Sequence, residues 1–110
     1  MNYLHKELAD GRWRKLSFLE QMANVGSEVG RALNWQKKGN SASCRKAYER
    51  SLELIDLTLE NAATFPRLKE LSRLREAVAD YFSGENTFKS TESSLRKYFD
   101  NFAYAARKDR

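Results

Sequence analysis

Apolar residues recur along this chain at the spacing of an α-helix in four separate stretches. At 100° per residue, Phe18, Leu19, Met22, Val25, Gly26, Val29, Gly30 and Leu33 share one broad face, with Ser17, Glu20, Gln21, Asn24, Ser27, Glu28 and Arg31 opposite. The pattern predicts a first helix over residues 12–38, stopped by Gly39-Asn40, with Lys37-Lys38 placed to suit the helix dipole. A second helix over 41–61, capped by Ser41, turns Cys44, Ala47, Tyr48, Ser51, Leu52, Ile55 and Leu59 inward. A third, over 66–82, begins at Thr64-Phe65-Pro66, where proline's missing N–H costs nothing, and buries Leu68, Leu71, Leu74, Val78, Tyr81 and Phe82. The fourth, over 91–107, follows a turn at Ser83-Gly84-Glu85-Asn86 and buries Leu95, Tyr98, Phe99, Phe102, Ala103 and Ala106. Residues 2–9, with Leu4 and Leu8 on one side, predict a short helical lead-in ended by Asp10-Gly11. No alternation of period two competes, and short connections favour antiparallel neighbours. The expected fold is an all-α, up-down-up-down antiparallel four-helix bundle.

Composition narrows this to one domain spanning 1–110, with 41% apolar residues, 32% charged residues and a single proline. One cysteine, Cys44, leaves no intrachain disulfide to staple the fold. The first residues lack the apolar run of a signal peptide, and no stretch has the length and apolarity of a membrane span, so a cytoplasmic protein without membrane association is expected.

Candidate chemistry is sparse. Gly26-Ser27-Glu28-Val29-Gly30 lies within a helix rather than at a strand-to-helix turn, so it reads as a seam for close helix approach, to a neighbour in the chain or to a second subunit. His5 is the only histidine, too few for a di-iron carboxylate bundle or an ordinary zinc site. Cys44 falls on an inward face, where a thiol is inert. Glu53 with Asp56, and Glu76 with Asp80, share helix faces but lie among Arg50, Arg73 and Arg75, so ion pairs account for them. No cofactor, no metal and no enzymatic activity are expected.

Charge changes the picture more. The net charge of +5, with a surplus in the first and last segments, suits a polyanionic partner. Alternating helices would gather Arg12, Arg14, Lys15, Arg67 and Lys69 at one end with Trp13, and Arg45 and Lys46 at the other with Trp35. These cations lie near helix N-termini, where the dipole disfavours them, so they are the candidate phosphate contacts. Trp13 and Trp35 fall on the polar side of the first helix and are the candidate stacking residues. Gly26 and Gly30 are the candidate interface of a homo-oligomer.

With four helices, a basic balance and arginines and aromatics gathered at the ends, the layout resembles small bacterial four-helix-bundle proteins encoded within ribosomal RNA intervening sequences. It is similar also to the accessory proteins of diversity-generating retroelements. The resemblance is one of architecture. It implies a basic, non-catalytic, oligomeric bundle that binds RNA or DNA or assists a nucleic-acid enzyme. The chain also resembles the HEPN bundles, whose ribonuclease signature places an arginine shortly before a histidine. Here His5 precedes every arginine, which implies a catalytically silent partner of a nucleotidyltransferase or toxin. The expected function is therefore a basic accessory bundle that binds nucleic acid or docks on an enzyme acting on it; the alternative is a protein-interaction subunit whose charge is incidental.

Overall fold

A capping box starts the first long helix. The Ser17 hydroxyl accepts from the Glu20 N–H and the Glu20 carboxylate accepts from the Ser17 N–H, which satisfies two backbone donors that a helix start leaves open. The computed structural model describes residues 11–108; the expected lead-in at 2–9 and His5 lie outside them. Four helices follow in order, α1 Phe18–Lys37, α2 Ser41–Glu60, α3 Phe65–Ser83 and α4 Glu92–Lys108, with no strand among the described residues. The chain is an all-α four-helix bundle.

The expected first helix over 12–38 is corrected at its start. Trp13–Lys15 form a short 3-10 turn, Leu16 is extended, and α1 begins only at Phe18. The physical cause is Trp13. Its indole is drawn into the core, 2% exposed, where Nε1 donates to Thr58 Oγ1 at 2.9 Å. The Gln21 amide then donates to the Trp13 carbonyl at 2.9 Å. A continuous helix would have kept Trp13 on the polar side of α1, away from α2. The second helix is capped by Asn40 rather than Ser41, since the Asn40 side chain accepts from the Ser43 N–H. Thr64 caps α3 with Pro66 in its first turn, and the Thr91 hydroxyl accepts from the Ser94 N–H at the start of α4.

Named contacts give the topology. Tyr48 meets Ser83 and Asp56 meets Arg75, so α2 and α3 run antiparallel. Phe18 packs edge-on against Phe102 while Lys37 pairs with Glu92, so α1 and α4 also run antiparallel. Tyr81 reaches Gln36, which puts the C-terminal ends of α1 and α3 together. The core is built from Met22, Val25, Val29 and Leu33 of α1, Leu54, Ile55 and Leu57 of α2, Leu71, Leu74 and Val78 of α3, and Leu95 and Phe99 of α4, with Trp13 closing one end.

The helices do not surround this core evenly. α1 packs closely against both α2 and α4, and α3 packs on α2, whereas α3 and α4 stand apart. Leu68, expected inside, is 40% exposed, and Phe65 beside it is 75% exposed. Conversely Gln21 and Glu28, expected on the polar face, are buried where α1 is flanked on both sides.

Candidate functional site

The expected phosphate-contacting residues fall into two groups that the fold keeps apart. α1 has 20 residues, about 30 Å of helix. Arg12, Arg14 and Lys15 precede its start, and Arg45 and Lys46 lie beyond its end in the first turns of α2. Arg45 is held by Glu49 at 3.2 Å, which offsets its charge. Lys46 is exposed, and Trp35, 37% exposed, has the Lys38 ammonium 5.2 Å from its ring centroid.

The first group is the more coherent. Arg14, from the 3-10 turn, and Arg67, from the first turn of α3, line one small pocket of about 240 Å³ with Phe18, Gln21, Thr58 and Asn61. The Arg67 guanidinium lies 4.3 Å over the Phe18 ring, a cation–π contact that fixes its direction. Lys15, Lys69, Arg107 and Lys108 are exposed at the same end, since α4 runs antiparallel to α1. Part of this charge has a structural use: α2 has no basic residue in its own last turn, and Arg14 and Arg67 beside Asn61 offset the negative end of its dipole.

Two expected site residues are corrected. Trp13 is a core residue with its indole N–H satisfied, so it offers no face for stacking. Gly26 is not free for a second subunit, because Phe99 of the same chain fills the space beside it; a Cβ there would lie 2.6 Å from the Phe99 Cβ. At Gly30 the nearest atom to such a Cβ is Arg96 Nη1 at 3.7 Å, an ordinary contact. The glycine seam therefore seats α4 of the same chain.

A second concave feature was missed in the sequence. Between α3 and α4 runs a groove of about 620 Å³ whose floor is Leu74, Ala77, Leu95 and Tyr98, with Lys69 and Arg73 along the α3 side. Its one direct polar bridge among the described residues is Tyr98, whose hydroxyl donates to Glu70 Oε1 at 2.7 Å. Burial first, and then the Glu70 hydrogen bond, push the Tyr98 phenol well above the ordinary tyrosine range. Phe88 stands at one end of the groove, half exposed, on the α3–α4 connection. That connection is tightly made. Asp80 Oδ2 accepts from the Phe88 N–H at 2.9 Å, and the Asn86 side chain bonds both the N–H and the carbonyl of Ser90. Asn86 and Lys89 take positive φ of 57° and 54°, a conformation asparagine tolerates better than lysine. The groove was hidden because the apolar periodicities of α3 and α4 suggest faces that meet, and only the helix placement parts them.

Of the groups weighed for catalysis, Asp56 and Asp80 are engaged in structural contacts. Asp56 takes a two-point hydrogen bond from Arg75, at 2.6 and 3.3 Å, and Asp80 anchors the Phe88 loop. Cys44 is half-buried, and burial pushes its thiol pKa up, away from the reactive thiolate. Among the described residues no group of three or more His, Cys, Asp or Glu could hold a metal, and no helix is long and apolar enough to cross a membrane.

Compared with known proteins, the chain matches no family model, no curated protein and no solved structure.

Proposed function

We propose that this chain is a non-enzymatic, basic accessory bundle that holds nucleic acid at the end formed by the 3-10 turn, the start of α3 and the end of α4. The observation that carries this reading is the convergence there of Arg14, Lys15, Arg67, Lys69, Arg107 and Lys108 from separate segments, none of them in an ion pair among the described residues. Unpaired cations on one surface release counterions from a phosphate backbone when they meet it, which is the main source of sequence-independent affinity. Arg67, held over Phe18, presents a fixed guanidinium, and Arg14 shares its pocket. The resemblance to non-catalytic bacterial bundles that bind RNA or DNA agrees with this reading, as does the net charge of +5. The Arg45, Lys46 and Trp35 end contributes less, since Glu49 already answers Arg45. Self-association, which that resemblance also implies, would multiply the basic surface without adding contacts within the chain.

Anisotropy titrations with labelled single-stranded RNA and duplex DNA over a salt series test the proposal. Affinity should fall steeply with salt, and Arg14→Glu with Arg67→Glu should weaken binding and flatten the salt slope by about one unit per lost contact. Lys46→Glu at the far end should change little. Absence of binding at low salt, or equal loss from either end, would overturn it.

A further inference from the structure

We propose that the α3–α4 groove is a docking site for an acidic amphipathic helix of a partner protein, a role distinct from nucleic-acid binding at the bundle end, although Lys69 stands at the edge of both surfaces. The floor is apolar, formed by Leu74, Ala77 and Leu95 with the ring of Tyr98, and is open because α3 and α4 do not close on each other. A groove between two helices accepts a third helix through residues spaced i, i+3, i+4 and i+7, which insert into such a floor. Phe88 supplies an anchor at one end. A phenyl ring half in water is costly to leave exposed, yet its loop is fixed by Asp80 and Asn86 so that the ring is presented rather than folded away.

Charge complementarity selects the occupant. Lys69 and Arg73 stand one turn apart on the α3 side of the groove, and neither has an ion-pair partner among the described residues. The single carboxylate on that side, Glu70, is oriented toward α4 by the Tyr98 hydroxyl and keeps its charge, so the two cations of the rim outnumber it. A helix whose apolar stripe is flanked by Glu or Asp would satisfy both cations while covering the floor. A second copy of this chain, with a net charge of +5, is a poor electrostatic match.

The test uses the whole protein and a synthetic helical peptide with leucine at i, i+3, i+4 and i+7 and glutamate flanking that stripe. The same peptide with lysine flanks, and single-stranded RNA, serve as controls. The glutamate peptide should bind, perturb the NMR signals of Ala77, Phe88 and Leu95, and lose about tenfold or more in affinity with Phe88→Ser or Arg73→Glu. Both substitutions are at exposed positions, and unchanged thermal melts would show that the fold is intact. RNA affinity should be unchanged by Phe88→Ser, which separates this site from the bundle end. The proposal is overturned if the lysine peptide binds as tightly, if the shifts map elsewhere, or if neither substitution weakens the glutamate peptide. It is overturned equally if the protein is a dimer that Phe88→Ser converts to a monomer, since a second copy then fills the groove.

Discussion

Phe99 lies so close against Gly26 that any side chain there would displace it, the distance from a Cβ at position 26 to the Phe99 Cβ being only 2.6 Å. One turn later the same stripe is relaxed, with 3.7 Å from a Cβ at position 30 to Arg96 Nη1. Two glycines that look equivalent in sequence thus have different physical reasons to be present.

They should respond to alanine with opposite signs. Gly30→Ala gains helix propensity without a clash and should stabilise the protein by about 0.5–1 kcal/mol. Gly26→Ala gains the same propensity but forces Phe99 at its root, near the backbone, where overpacking costs about 1–3 kcal/mol. Chemical denaturation of the two variants checks this, and a stabilised Gly26→Ala would refute the seam.

The buried pair of Trp13 and Thr58 gives a second expectation. Thr58→Val keeps the shape but leaves the indole N–H without an acceptor, and should cost about 1–3 kcal/mol. In a Trp13→Phe background the same change should cost clearly less, so a double-mutant cycle should return a coupling of about 1 kcal/mol. Fluorescence gives an independent check. A Trp35→Phe protein, whose remaining indole is Trp13, should resist acrylamide, whereas a Trp13→Phe protein should be quenched readily.

Tyr98 ties stability to alkaline pH. Its folded pKa is raised, so the neutral phenol is favoured in the folded state, and the stability this gives is fully present below the unfolded value of about 10 and is lost as pH rises beyond it. Thermal melts through that range should show the wild type declining faster than Tyr98→Phe. A parallel decline in both would show that folding does not hold the Tyr98 phenol above its ordinary range.

Glu92 has the opposite linkage. Hydrogen bonds from Lys37 and Arg96 hold its carboxyl below the usual glutamate range. Its contribution is present above the unfolded pKa and fades as pH falls through the folded one. The pair is solvent-exposed, so the effect is small. Glu92→Gln should remove part of the acid sensitivity and also loosen the clamp between α1 and α4 that Arg96 completes at Asn34. Hydrogen exchange at the start of α4 reports that loosening.

Much of the fold was legible from local chemistry. Thr64 before Pro66 marked the start of α3, and Gly39, with φ of +73°, supplied the left-handed residue that ends α1. The start of α1 was also readable, because Ser17 and Glu20 form a capping box spaced as the motif requires. The expected helix over 12–38 nevertheless ran straight through that box. Of the candidate site, the gathering of cations at one end follows from alternating helix direction. The value of each cation does not, because Glu49 at Arg45 and Phe18 under Arg67 are settled by side-chain placement.

Periodicity, caps and turn residues acted over a few neighbours, so the sequence by itself determined four helices, their order and their antiparallel sense. How far apart those helices stand was decided by the tertiary structure, through contacts between residues distant in the chain. Trp13 on Thr58 and Phe99 on Gly26 draw α1, α2 and α4 together, while the exposed hydrogen bond of Tyr98 to Glu70 links α3 to α4 without closing them. That unequal packing turned an expected stacking residue into core, settled the Gly26 seam on α4 of the same chain, and opened the groove beside Phe88.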